Sequence, residues 1–451
     1  KTSYRNNMRF QHYLICTAAV AALAANPLTG QSNMTLEECI DYARRHSSAV
    51  ALSAAELEQS KADYLQAVGN FLPRVSAGTG ASWNFGRGLD AETNTYTDIN
   101  SFNNSYSIHA TMTLFDGLQS VYRLRMAHAR REASRLSVRE QQELAALGTT
   151  EAYYDLVYAR QMQELAMQKY EESSRLHRQT ARMEELGMKS RPDVLEMQSR
   201  MAGDRLALTQ ADNQCIIALI RLKEKMNFPI DDELVVDDMP ADSLSADMAE
   251  SDSSAGVFAR AAHHHPVLLR AKLDEQAATD RLRAARGAFL PSVSVSGGWN
   301  TGFSRFLNGS DYTPFSEQFR NRRGEYVSLN LSIPIFSGFS LVSHLRQARA
   351  ERRAAIVRRG EAERRLYSEI AQAMADRDAA LASYRQAKEH TDAMQTAYEA
   401  VLQRYEEGLN TAIDLTTQAN RLLDARVQRL RAAMTYRLKC KLIAYYGCLS
   451  D

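Results

Sequence analysis

Residues 36 to 226 and 257 to 446 carry one succession of signals twice: helix, strand, loop, strand, long helix, glycine turn, return helix. Phe71-Leu72-Pro73 recurs 218 positions later as Phe289-Leu290-Pro291, and Phe115-Asp116-Gly117 recurs 221 positions later as Phe336-Ser337-Gly338. Glu185-Leu186-Gly187 with Asp193 returns as Glu407-Gly408 with Asp414. A solenoid needs at least three units to bury a core. Two long copies predict pseudo-symmetric subunits of a ring instead.

Proline and glycine mark where helices can run. No proline falls between Gly117 and Pro192, and none follows Pro334. These stretches are rich in Ala, Leu, Arg, Glu and Gln, strong helix formers. Residues 118 to 186 and 339 to 407 are each expected to form one helix of 69 residues, roughly 100 Å at 1.5 Å per residue. The return segment after the first has apolar or small residues at Val194, Met197, Met201, Leu208, Ala211, Cys215, Leu219, Leu222 and Met226, steps of three and four broken at Asp204. That is a coiled-coil seam. The return segments 188 to 226 and 409 to 446 are about half as long as the helices they pair with, and 257 to 288 and 36 to 70 supply the missing halves. Two short helices should therefore flank each long one, with a break at mid-height. The linker 227 to 256, whose 231 to 252 core has nine acidic residues and no basic ones, falls at that break, either as a belt or as a solvated connection.

Four runs alternate with the period of a strand. Val75, Ala77, Thr79, Ala81 and Trp83 alternate with Ser76, Gly78, Gly80 and Ser82; Tyr106, Ile108, Ala110 and Met112 with Ser107, His109 and Thr111. Val293, Val295 and Trp299 alternate with Ser294, Ser296 and Gly298, and Val327, Leu329, Leu331, Ile333 and Ile335 with Ser328, Asn330 and Ser332. Each is long enough for one tilted membrane pass. Four strands cannot close a barrel, and open edges in a bilayer would leave backbone hydrogen bonds unmet. The chain must oligomerise; three copies give 12 strands around a lumen faced by Ser, Asn, Thr and Gly.

Other features narrow the class. Fifty-five basic residues face 54 acidic ones, so no basic field points to nucleic acid. Lys1, Arg5 and Arg9 ahead of the apolar stretch Tyr13 to Ala25 read as a secretory signal peptide over residues 1–30. Cys39, Cys215, Cys440 and Cys448 form no metal pattern. His263-His264-His265 lacks the i, i+4 spacing of a zinc pair and reads as a solvated helix entry before Pro266. No catalytic constellation or phosphate loop is present, so neither an enzyme nor a cofactor is expected. The expected organisation is a leader at 1–30; a first repeat at 36–226 with strands near 74–86 and 105–115; an equatorial linker at 227–256; and a second repeat at 257–446 with strands near 292–303 and 325–336.

The ordered, duplicated motifs, with Ile333-Pro334-Ile335-Phe336-Ser337-Gly338 and Tyr405-Glu406-Glu407-Gly408 followed by Asp414, resemble the TolC-type outer-membrane efflux channels from about Thr35 to Gly447. The resemblance implies a fold that is mainly α with membrane β: duplicated helix-strand-strand-helix halves, long coiled-coil helical hairpins, and four strands per protomer contributing to a trimeric 12-stranded barrel. It implies an exit duct from periplasm to exterior, with a periplasmic adaptor, an inner-membrane pump and outer-membrane lipids as partners. Two aspartate rings narrow the periplasmic gate in that family; here Asp414 takes the first position and Thr417 the second. The resemblance assigns a latch tyrosine to Tyr405 and its aspartate to Asp193, with Asn410 where the family has arginine and Arg191 or Arg404 as substitutes. Gly187-Met188-Lys189 and Gly408-Leu409-Asn410 would be the adaptor-contacting tips, and both glycines also read as helix caps. The competing readings are a secreted or periplasmic coiled-coil scaffold, and the outer-membrane component of type I protein secretion.

Overall fold

The computed structural model describes residues 34–89, 95–98, 100–237, 253–307 and 313–447; the expected leader, Cys448 and the later part of the acidic linker lie outside them. The first half runs α1 (Leu36–His46), α2 (Ser48–Gly69), β1 (Arg74–Asn84), β2 (Arg87–Leu89), β3 (Tyr96–Asp98), β4 (Ser101–Phe115), α3 (Gln119–Glu185) and α4 (Arg191–Met226). The second runs α5 (Ser254–His264), α6 (Pro266–Gly287), β5 (Ser292–Phe306), α7 (Phe315–Asn321), β6 (Gly324–Ser332), α8 (Ser340–Glu406) and α9 (Ala412–Gly447). Corresponding helices have equal lengths: 11, 22, 67 and 36 residues in each half. The long helices span roughly 100 Å.

Two differences from the sequence reading concern the short helices. The segment 36–70 is not one helix: Ser47, with ψ 132°, breaks it into α1 and α2. His265, with ψ 124°, breaks 257–288 in the same way, because the residue before Pro266 is driven out of the helical region. That break also turns the His265 ring inward, so it is 2 % exposed rather than solvated. It lies against Tyr445 and Tyr446 at centroid distances of 5.5 and 6.3 Å.

Each long helix packs against its own return helix, α3 on α4 and α8 on α9. Short helices fill the sheet-side halves: α2 lies on α3, and α6 lies on both α3 and α8. The core is accordingly divided into separate clusters along the axis. Near mid-height Leu36, Cys39, Tyr153, Leu156, Leu222 and Met226 pack with Leu234 and Val236 of the linker. There Met34 bridges to Val236, and the Val236 carbonyl accepts from Arg160 at 2.7 Å. The described start of the linker thus lies against the helices. Burial pushes the Cys39 thiol up to about 12, which keeps it protonated.

The strands form one antiparallel sheet in the order β1-β4-β5-β6. β4 starts at Ser101 and β5 reaches Phe306, both longer than expected, whereas β6 stops at Ser332 short of residue 336. Pro334 has no N–H to donate and cannot continue a ladder. In the pairing Ala77↔Ile108↔Trp299 and Val75↔Ala110↔Gly297↔Val327, apolar side chains fall on one face. The small or polar residues of Ser82↔Asn103↔Ser304 and Ser76↔His109↔Gly298 fall on the other. Among the described residues nothing covers most of the apolar face: Val75 is 68 % exposed and Val327 83 %. An uncovered apolar surface of this extent marks a membrane or interaction face.

At the joint between sheet and helices, Gly117 (φ +67°) crosses Gly287 so closely that a Cβ on Gly117 would lie 2.1 Å from the Gly287 carbonyl oxygen. A Cβ on Gly287 would lie 2.2 Å from the Gly117 oxygen. No side chain fits at either place.

Candidate functional site

The helical tip is built from two turns with the same construction. Gly187 (φ +73°) and Gly408 (φ +77°) end α3 and α8 in the left-handed region. Met188 N donates to Met183 O and Leu409 N to Arg404 O, both at 2.8 Å; these six-residue closures satisfy the last helical carbonyls. The next helix opens on a capping box. Asp193 accepts from Ser190 N and Oγ at 3.1 and 2.7 Å; Asp414 accepts from Thr411 N and Oγ1 at 3.0 and 2.7 Å. These hydrogen bonds hold both carboxyls below the usual carboxylate range, so each is ionised at neutral pH. The pattern Ser190-x-x-Asp193 and Thr411-x-x-Asp414 was readable as two caps, a signal the sequence reading passed over.

Asp414 and Thr417 are both exposed, one turn apart on α9, and the Thr417 hydroxyl donates back to Ile413 O at 2.8 Å. Tyr405 is buried, and its hydroxyl lies 3.0 Å from Thr180 Oγ1 rather than on Asp193, tying α8 to α3. Lys189 Nζ sits 4.4 Å above the Tyr405 ring, so the first tip folds onto the second hairpin. Arg191 reaches Glu184 at 3.4 Å, an exposed contact within its own hairpin. Asn410 is half-buried in the second turn, and Leu186, Met188, Leu409 and Ile413 present exposed apolar side chains at the end of the molecule.

Above the tip lies a buried polar cluster that sequence reasoning missed. Lys169 of α3 contacts Asp204 of α4 at 3.2 Å and Asn420 of α9 at 3.0 Å. Arg200 lies 3.8 Å from the same carboxylate and 3.5 Å from Thr416 on α9. Glu172, whose carboxyl is pushed up by burial against the pull of Arg200, Arg175 and Arg426, accepts from the Tyr398 hydroxyl. The cluster joins side chains of all four tip helices.

Among the described residues, no helix is long and apolar enough to cross a membrane, and no group of three His, Cys, Asp or Glu could hold a metal ion. The sheet leaves an apolar face exposed, one residue in two on each strand. A sheet with one lipid-facing and one polar face, carried on hairpins of roughly 100 Å, is the wall segment of an outer-membrane channel with a helical tunnel.

The chain belongs to the outer membrane efflux protein family, whose profile matches residues 39–227 and 257–438. It is 27 % identical to Protein CyaE of Bordetella pertussis over 415 residues, covering 92 % of this chain and 84 % of that one. It is 23 % identical to outer membrane protein TolC of Salmonella enteritidis over 429 residues, 92 % and 82 % of the two. The fold matches that of CusC with a TM-score of 0.78 at 14 % identity, over 93 % of this chain and 95 % of the other. The protein is therefore an efflux channel of the outer membrane with its helices in the periplasm, an exit duct in a family and fold of channels.

Proposed function

We propose that three copies assemble into a 12-stranded barrel continued by a helical tunnel, and that the tip docks a periplasmic adaptor and an inner-membrane pump. The observation that carries this reading is the sheet: β1 and β6 are edge strands, and in a bilayer each free edge must find a partner. Export through the duct is passive diffusion along the small polar residues of the inner face, with energy supplied by the pump. Asp414 and Thr417 would line the periplasmic mouth. A ring of three ionised Asp414 carboxylates raises the local negative potential and favours cations at the entrance; the hydroxyl of Thr417 adds no second charged ring. Tyr405, through Thr180, would hold the two hairpins of one copy together at the mouth. Asp193 and Asn410 would face the neighbouring hairpin, and Gly187-Met188-Lys189 and Gly408-Leu409-Asn410 would meet the adaptor.

The test is the mass and location of the native particle. A detergent-extracted outer-membrane particle of about three times the 50.6 kDa chain, measured by light scattering with detergent subtracted, supports the duct. A monomer released without detergent overturns it.

A further inference from the structure

We infer that the glycine crossing seen once inside the chain is made a second time between copies, Gly338 of one against Gly69 of the next, and that it sets β6 against β1 of the next copy with Ser328 opposite Ser82. This rests on the trimer proposed above and adds a register to it.

The argument starts from an unexplained glycine. Gly69 lies in the last turn of α2 with no left-handed backbone and nothing within 4 Å of the place a Cβ would occupy. Alanine favours a helix over glycine at such a position, so the described residues of one chain give no reason for glycine. Its counterpart in the second repeat, 218 positions on, is Gly287, where a Cβ is excluded by the Gly117 backbone. Gly117 has its own counterpart 221 positions on, Gly338, whose surroundings are likewise empty within 4 Å. One crossing is filled, and both members of the other stand open. Leu290, whose Cβ lies 3.0 Å from a Cβ built on Gly117, corresponds to Leu72, which is 61 % exposed.

The sheet repeats the relation. β4 and β5 join the two halves with Ser107 opposite Asn300, Ile108 opposite Trp299 and Tyr106 opposite Thr301. Moving β4 forward by 221 gives β6, and moving β5 back by 218 gives β1. The pairs become Ser328 opposite Ser82, Leu329 opposite Ala81 and Val327 opposite Trp83. Every one keeps apolar with apolar and polar with polar, whereas a slip of one residue would put Val327 against Ser82 and mix the faces. The two free edges and the two open glycines thus call for the same partner, a second copy of this chain in the orientation that the halves already hold within one copy.

Oxidation of the full-length Ser82→Cys/Ser328→Cys protein in its native membrane should yield a covalent trimer on a denaturing gel, with neither single variant cross-linking. The comparison pair Ser82→Cys/Asn330→Cys, on the same face but two residues out of register, should stay largely monomeric. Gly69→Ala, neutral by the packing of one chain, should lower the trimer fraction at least tenfold by light scattering. Preferential joining of the slipped pair, or of neither pair in a trimeric particle, overturns the register while the trimer stands. Undiminished assembly of Gly69→Ala overturns the crossing. A monomeric wild-type particle fails the trimer itself.

Discussion

Replacing Asp204 by leucine removes the one carboxylate that lies between Lys169 and Arg200. The Arg200 side chain is 4 % exposed, and its Nε and Nη2 have no hydrogen-bond partner among the described residues, so it depends on the Asp204 charge 3.8 Å away and on Glu172, whose carboxyl it also attracts. Removing one partner of a buried pair costs about 3–5 kcal/mol, because the other charge stays buried without compensation. Unfolding entropy near 60 °C is about 2.1 cal/mol/K per residue, or roughly 0.8 kcal/mol/K for about 400 residues. The Asp204→Leu midpoint should therefore fall by about 4–6 °C, measured by circular dichroism at fixed detergent and protein concentration. Adding Arg200→Met replaces the pair by apolar groups, which is often neutral or stabilising, and should return more than half of the loss. The double variant melting at or below Asp204→Leu would refute the reasoning: the seam at this height would then depend on shape, not on charge compensation.

Gly287→Ala should fail to yield folded channel in the outer membrane, because its Cβ meets a backbone oxygen at 2.2 Å and no rotamer relieves it; normal amounts of folded Gly287→Ala would disprove a tight crossing. His265 is buried neutral, with its pKa lowered by burial. Its contribution is fully present above the unfolded value of about 6.5 and is lost as pH falls through the lower folded one. Thermal melts of the wild type should therefore soften on acidification in that window, and a His265→Phe variant that softened equally would remove His265 as the cause. Glu172 has the opposite sign: its raised pKa favours the folded state at low pH and costs stability as pH rises through it, so Glu172→Gln should flatten that part of the melting profile. In planar bilayers, Asp414→Asn should reduce cation over anion selectivity, with the reversal potential as the readout; an unchanged value would take Asp414 out of the mouth.

The long helices were legible because a single physical fact decides them: among the described residues from Gln119 to Pro192 and from Ser340 onward, only Gly187 and Gly408 take a left-handed backbone. Strand faces were legible for a similar reason, since alternation at Val75–Trp83 and Val327–Leu331 survives whatever the partner is. Strand ends were harder. Pro334 marks where β6 must stop, yet the alternating Ile333 and Ile335 around it continue the pattern. The mid-height breaks sit at Ser47, which carries no strong local signal, and at His265, where the following proline was a usable one. Asp204 appeared in the sequence as a flaw in the apolar seam of α4. It is instead the centre of a cluster whose other members, Lys169 and Thr416, come from helices distant in sequence, and no periodicity within one helix can report that. The same limit hid Tyr405 against Thr180, 225 residues apart.

Of the described helices that make up each hairpin, only α3 and α8 are continuous from sheet to tip; the others are spliced at mid-height, where α4 ends at Met226 beside the break between α1 and α2 and Asn227 Nδ2 donates to His46 O at 2.8 Å. Two rods thus give an unbroken backbone path from one end to the other. For a rod of roughly 100 Å anchored at the glycine crossing, a displacement of about 10 Å at the tip is a rotation of about 6°, well below the 20° at which helices kink and give up hydrogen bonds. The splices allow the outer segments to slide as the rods lean. A wide mouth and a narrow one can thus differ without any helix being broken, and the mechanical work of switching falls on side-chain contacts near the tip rather than on the backbone.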